Sequence, residues 1–97
     1  MTIPELKSEA RAIWGEEKLT LSQIIVRLGV SIGDLCRWER NANKDQPKRT
    51  ETELKKELGN IIFSTIRWCD DLGLDPEECI SVAKAAQRKF AQENTRR

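Results

Sequence analysis

The 97-residue chain contains no histidine and only three cysteines, and these shortages limit the chemistry available to it. Without an imidazole, neither a Ser–His nor a Cys–His nucleophilic site can form. Zinc sites draw on His and Cys ligands, and the chain has no Cys-x-x-Cys pair, so we expect no zinc site. The widely spaced Cys36, Cys69 and Cys79 predict no disulfide framework and favour a reducing, cytoplasmic location.

Neither sign of charge dominates, and long hydrophobic runs are missing. The chain has 17 basic and 16 acidic residues, a net charge of +1. Proteins dedicated to nucleic acids usually carry a basic excess, so this balance argues weakly against DNA as a partner. No apolar run approaches the roughly 20 residues of a membrane-spanning helix. The first residues, MTIPELKSEA, lack the basic-then-apolar pattern of a signal peptide. We therefore expect no membrane partner.

Strand signals are also missing, whereas apolar residues recur at helical spacing. No segment alternates apolar and polar residues for long, and no Asn-Gly or Asp-Gly hairpin turn is present. The spacing predicts one all-α domain over residues 1–97, with helices near 3–15, 20–40, 50–72 and 76–93. The polar segment 41–49 predicts a loop that allows the two long helices to pack antiparallel.

Local signals mark several helix ends. Thr20 and the glutamine three residues later form a possible capping box. Gly15 and Gly73 follow helical stripes and predict C-terminal ends. Asp75 and Pro76 are the residue types that precede and begin a helix, and they predict the start of the last one.

Two segments carry a family resemblance. The first is ELKKELGNIIFSTIRWCDDLGLDPEECISVAKAAQRKF, residues 53–90, and the second is IIVRLGVSIGDLCRWER, residues 24–40. Their order and spacing resemble the all-α nucleoside triphosphate pyrophosphohydrolases of the MazG type, over about residues 3–90. The resemblance implies a four-helix antiparallel bundle completed by assembly into a dimer or tetramer. It also implies Mg²⁺-dependent conversion of a nucleoside triphosphate to a monophosphate and pyrophosphate.

The resemblance places the metal-binding motifs on residues that are mostly not acidic. The family uses Glu-Glu-x-x-Glu on one helix and Glu-x-x-Asp on the facing helix, because carboxylates three or four residues apart share a helical face. Here the first motif falls on Arg27, Leu28 and Ser31, and the second on Glu57 and Asn60. Mg²⁺ prefers charged oxygen ligands, so this replacement predicts an impaired or inactive hydrolase.

Further residues complete the expected site. Glu57 is the first choice for a catalytic metal ligand, and Glu53 and Asp34 are the nearest acids that would assist it. Asn60 and Ser31 would act as neutral ligands or as phosphate contacts.

Four more residues are expected to contact the substrate. Arg27, Lys84 and Arg88 are candidates for phosphate contacts, although each also fits a solvated basic face. Trp38 is a candidate for stacking on a base, with core or interface packing as the alternative.

A second interpretation treats residues 22–41, SQIIVRLGVSIGDLCRWERN, as a helix-turn-helix. Gly29 would make the turn, Ser31 would cap the recognition helix, and Arg37 and Arg40 would reach DNA phosphates. Against it, Ile25 stands where the two helices need a small residue in order to cross closely. The apolar stripe of this segment also continues past Gly29 without a change of phase, and its residues are Ile24, Ile25, Leu28, Ile32, Leu35 and Cys36. DNA is expected as a partner only under this interpretation.

Overall fold

The computed structural model describes residues 1–40 and 49–95, and in these ranges the regular structure is entirely helical. The helices are α1 (Ile3–Trp14), α2 (Leu21–Arg40), α3 (Glu51–Asp71) and α4 (Pro76–Thr95). For the described residues this confirms the all-α prediction with its four helices, and each helix end lies within two residues of the predicted position. Most of the expected loop, residues 41–48, lies outside the described residues.

Side-chain caps explain where the helices begin. The hydroxyl oxygens of Thr2, Thr20 and Thr50 each accept a hydrogen bond from the backbone N–H three residues later, at 3.1–3.3 Å. At Thr20 the bond is reciprocal, because Gln23 Oε1 accepts from the Thr20 N–H at 2.9 Å. This is the predicted capping box. Asp75 Oδ1 accepts from a backbone N–H at 3.0 Å at the start of α4.

Two glycines end helices in the left-handed region. Gly15 has a φ of 76° and Gly73 a φ of 70°. A side chain would strain either position, which explains glycine at both. The Gly15 N–H donates to Arg11 O at 2.8 Å, and the Gly73 N–H donates to Asp70 O at 3.0 Å. Both predicted helix ends are therefore confirmed.

Contacts at both ends show that α2 and α3 run antiparallel. The Trp38 indole N–H, near the end of α2, donates to the carbonyl of Thr50 at 3.0 Å, just before α3. At the other end, the Leu19 N–H donates to Asp71 Oδ2 at 3.2 Å. These two contacts fix the register of the pair. Residue 31 is consequently level with about residues 57–59 of α3.

Helix α1 packs against the C-terminal part of α3. Arg11 forms two hydrogen bonds to the carboxylate of Asp70, at 2.8 and 2.7 Å. Ala10 is almost completely buried beside this contact. The Arg67 guanidinium lies 4.6 Å from the centre of the Trp14 ring. Helix α3 is therefore the central helix, with α1 and α2 packed on it.

The hydrophobic core of the described residues is small and uses a narrower stripe of α2 than the sequence predicts. Its buried apolar side chains, besides Pro76, belong to Ala10, Ile24, Ile66 and Trp68. Ile25 and Ile32, which the predicted stripe includes, are 60% and 48% exposed. The inward face of α2 follows Ile24 in steps of one turn, so the adjacent positions rotate away from α3.

Helix α4 projects from the other three. Every residue from Glu77 to Asn94 is exposed, including Val82 at 71% and Phe90 at 66%. The radius of gyration is 16.3 Å. A compact chain of this length would have about 12.5 Å. The apolar side chains that recur at helical spacing along α4, Val82 and Phe90 among them, are thus left uncovered by the other described helices.

The helix-turn-helix interpretation of residues 22–41 is wrong in its geometry. Residues 21–40 form one uninterrupted α-helix that passes through Gly29 without a turn. A recognition helix needs a preceding turn to cross its partner helix, and none is present there. The unbroken apolar stripe is the sequence feature that anticipates this result. Residue 41 itself lies outside the described residues.

Ile24 and Ile25 provide a matched test of the packing of α2. Replacing Ile24 with alanine should lower the free energy of unfolding by about 2–5 kcal/mol, because it opens a cavity in the core. Ile25→Ala should change it by no more than about 0.5 kcal/mol in dilute solution, where the side chain faces solvent. Both variants change helix propensity equally. Urea denaturation followed by circular dichroism measures the difference, and equal effects would contradict this orientation of α2.

Candidate functional site

The predicted catalytic residue, Glu57, lies on the face of α3 that meets α2. Its side chain is 13% exposed, and its carboxylate is 3.8 Å from the ammonium group of Lys56. Ser31 is half-buried on α2 and, by the register of the two helices, lies level with Glu57. The antiparallel pairing therefore brings one position from each expected motif to the same level of the helix pair.

The two assisting acids lie nearby but are paired with cations. Glu53, one turn before Glu57, is 2.9 Å from Lys56, and this hydrogen bond raises the pKa of Lys56. Asp34 is 3.6 Å from Arg37 on its own helix. A metal or phosphate at this face would have to compete with these exposed ion pairs, which are individually weak.

The remaining predicted residues do not converge on this face. Asn60 and Arg27 are exposed, as are Lys84 and Arg88 on α4. Helical geometry places Lys84 and Arg88 one turn apart, on the side of α4 opposite Phe90. The structure thus leaves the two phosphate candidates of α4 apart from Glu57 within one copy.

The Trp38 side chain makes contacts within the protein at the end of α2. Its indole N–H donates the hydrogen bond to Thr50, and the Arg49 guanidinium lies over its ring, 4.5 Å from the ring centre. Arg49 also pairs with Glu39 at 3.2 Å. A cation over an aromatic face is a stabilising contact. These contacts fasten the end of α2 to the start of α3, which agrees with the packing alternative for Trp38.

Metal ligands are sparse in the described part of the chain. No group of three or more His, Cys, Asp or Glu side chains gathers there in a geometry that could hold a metal ion. Glu57 and Ser31 offer one charged and one neutral oxygen at the same level. This donor set fits the expected magnesium site only in part.

A second feature, a polar cleft of about 310 Å³, lies where α1 and the connection to α2 meet the end of α3. It is separated from Glu57 by about 20 Å along α3 at 1.5 Å per residue. Its walls carry both signs of charge and are formed by Ala10, Arg11, Gly15, Glu16, Lys18, Arg67, Asp70 and Asp71.

The two aspartates of this cleft are fully engaged. Asp70 accepts both hydrogen bonds from Arg11, and Lys7 lies 3.7 Å from the same carboxylate. The hydrogen bond from Arg11 is the main cause that holds the pKa of Asp70 below its ordinary value. Asp71, only 8% exposed, accepts from the Leu19 N–H and lies 3.8 Å from Arg67. Because both aspartates are paired, this cluster serves to hold three segments together.

Sequence reasoning missed this cluster. The acids were visible as consecutive residues in the DDLG segment, but the partner of Asp70 is 59 residues away on α1. Helical periodicity reports which residues share a face, not which distant side chain meets that face. A surplus of acid at the end of α3, with no basic residue in its last turn, was the available signal.

Comparison of the chain with protein-family models, with curated proteins and with solved structures finds no match to any of them. None of the helices in the described ranges has the length and apolar character needed to cross a membrane.

The depressed pKa of Asp70 predicts how acid affects stability. Its carboxylate stabilises the fold fully above its unfolded pKa of about 3.9, and this contribution is lost as pH falls through the lower folded value. The urea midpoint of Asp70→Asn should therefore lie below wild type at pH 7, and the gap should close below about pH 4. Asp34→Asn, which removes only an exposed pair, serves as the control and should differ little from wild type at any pH. A gap for Asp70→Asn that stays constant down to acid pH would contradict this account.

Proposed function

We propose that the chain is a MazG-like nucleotide pyrophosphohydrolase with a reduced set of acidic ligands and slow turnover. The observation that supports this is the pairing of α2 and α3, in which the half-buried Glu57 carboxylate is level with Ser31. A carboxylate held at a helix interface is preorganised, whereas an exposed glutamate is not. The reaction would add water to a nucleoside triphosphate and release the monophosphate and pyrophosphate.

Magnesium would be held mainly by Glu57, with Asp34 and Glu53 as the further acids and Ser31 and Asn60 as neutral donors. A bound magnesium ion supplies positive charge to the triphosphate and acidifies a water molecule. All three carboxylates lie 2.9–3.8 Å from a cation, so magnesium would have to displace these ion pairs and its affinity would be low. This is the physical reason for slow turnover.

Exposed cations would bind the phosphates of the substrate. Arg27 lies one turn before Ser31 on α2, where a guanidinium can bind a phosphate through two hydrogen bonds. Lys84 and Arg88 would contribute only from another copy, or after α4 moves. Because its substrate would be a nucleotide and its thiols are free, the protein would reside in the cytoplasm.

Glu57 and Glu51 provide the matched test of this activity. Glu51 is on the same helix but its side chain is 80% exposed. Pyrophosphate release should be measured on a panel of ribo- and deoxynucleoside triphosphates with Mg²⁺ or Mn²⁺. Glu57→Ala should reduce release by more than about 100-fold, because losing a residue that binds the metal directly costs more than losing one that only supports such a residue. Glu51→Ala should leave release unchanged.

Two results would contradict the proposed pyrophosphohydrolase activity. Release that survives in Glu57→Ala would show that this carboxylate is not a ligand. No release from any nucleotide by wild type would show that the fold has lost the reaction. Thermal melts of both variants should accompany the assay, so that a loss of release is not confused with unfolding.

We also propose that the chain assembles as a homodimer or tetramer. The supporting observation is apolar surface that one copy leaves open. On α3, Leu58 and Ile62 are 44% and 65% exposed, and on α4, Val82 and Phe90 are 71% and 66% exposed. Contiguous apolar patches of this kind mark protein–protein contacts. Two copies that pack these stripes together would complete the bundle that α4 leaves unfinished.

Phe90 tests this assembly. Phe90→Glu should weaken association by more than tenfold, because it would bury a charge in the apolar contact. Gln92→Glu adds the same charge on the opposite side of α4 and should leave association intact. Sedimentation equilibrium over a range of protein concentrations measures both variants. A wild-type protein that remains monomeric at high concentration would refute the assembly.

A further inference from the structure

Two thiols meet where α3 passes into α4. The Sγ atoms of Cys69, in the last turn of α3, and Cys79, in the first turn of α4, are 4.0 Å apart. Cys69 is half-buried, whereas Cys79 is exposed. A reagent in solution can therefore reach Cys79 first, and Cys69 is the neighbour that could resolve the product.

The hairpin between the helices holds both cysteines in place through their own peptide groups. The Leu74 N–H donates to the carbonyl of Cys69 at 2.8 Å. The Cys79 N–H donates to the carbonyl of Asp75 at 3.1 Å. Pro76, between them, is less than 2% exposed. The separation of the thiols is therefore set by the fold of the hairpin.

The surroundings give the two sulfurs different roles. Burial, followed by the hydrogen bond to Cys79, raises the pKa of the Cys69 thiol. In that bond the Cys69 S–H donates to the sulfur of Cys79. The thiolate is the nucleophile in thiol–disulfide exchange, and the exposed Cys79 is the sulfur that a dissolved disulfide can approach. Cys79 is therefore the attacking group and Cys69 the second one to react.

We propose that Cys69 and Cys79 form a site of reversible thiol–disulfide exchange that reacts with a low-molecular-weight disulfide such as oxidised glutathione. The Cys79 thiolate attacks one sulfur of the small disulfide, whose S–S bond breaks and releases one thiolate. Cys69 then gives up its proton and attacks the Cys79 sulfur, which releases the second small thiol. The two cysteines are oxidised, the small disulfide is reduced to two thiols, and the protons of the cysteines pass to those thiols.

A disulfide between Cys69 and Cys79 would fix the direction in which α4 leaves α3. Sulfur atoms in a disulfide are about 2.05 Å apart, so the two must approach by about 2 Å. Beyond its first turn α4 is exposed on every side, so it can follow this movement. The proposal does not depend on the nucleotide chemistry, because Glu57 lies more than three turns away on α3.

Oxidised glutathione in excess provides the test, with Cys36 as an internal control. Cys36 is exposed on α2 and has no thiol beside it among the described residues. Mass spectrometry of the oxidised wild-type protein should show one glutathione on Cys36, a Cys69–Cys79 cross-linked peptide, and no glutathione on Cys79. Dithiothreitol should reverse both changes. Cys69→Ser should stop at the mixed disulfide, with glutathione retained on Cys79.

Three outcomes would overturn the proposal. The first is wild-type protein that keeps glutathione on Cys79 while Cys69 stays reduced. The second is a Cys79 that does not react while Cys36 does. The third is a disulfide through Cys79 that joins two chains. As a second measurement, oxidation should slow amide hydrogen exchange in the first turn of α4 in wild type and not in Cys69→Ser. Equal exchange rates would show that the bond does not hold α4.

Discussion

The acidic end of α3 is the constraint on which the arrangement of the other helices depends. Carboxylates in the last turn of a helix face the negative end of its dipole and are unfavourable there unless cations or N–H groups approach them. Asp70 and Asp71 obtain those partners from other segments: Arg11 of α1 for the first, and the Leu19 N–H for the second. The electrostatic penalty at one helix end thus specifies which segments must gather around it.

This anchoring also determines where the candidate site can form. Once Leu19 is fixed at the end of α3, α2 must run back along α3, and Trp38 reaches Thr50 at the far end. The register between these two contacts puts Ser31 level with Glu57. The charged cluster therefore contributes to the alignment of Ser31 with Glu57, although it lies about 20 Å from Glu57 along α3.

The sequence was informative where structure is decided locally and uninformative where it is decided by distant partners. Threonine caps, glycine ends and the Asp75–Pro76 start each depend on a few neighbouring residues, and the helix bounds follow from them. The inward stripe of α2 is narrower than predicted, because Ile24 and Ile25 are equally apolar and only the position of α3 distinguishes them. Glu57 could be named from a motif, but its half-burial depends on α2. The pairings within the charged cluster and between the two thiols could not be predicted, because each joins side chains from different elements.

The small core gives a physical reason to connect assembly with function. A domain of about 100 residues needs extensive apolar burial to offset the entropy of ordering its chain. Here the described residues bury few large apolar side chains and leave an apolar stripe open on both α3 and α4. The same geometry separates Lys84 and Arg88 from Glu57 within one copy. Covering the stripes with a second chain would bury the missing apolar surface and would also bring another α4, with its cations, to the assembly. In the proposed assembly, the fold and the proposed phosphate chemistry would both depend on the same partner copy of α4.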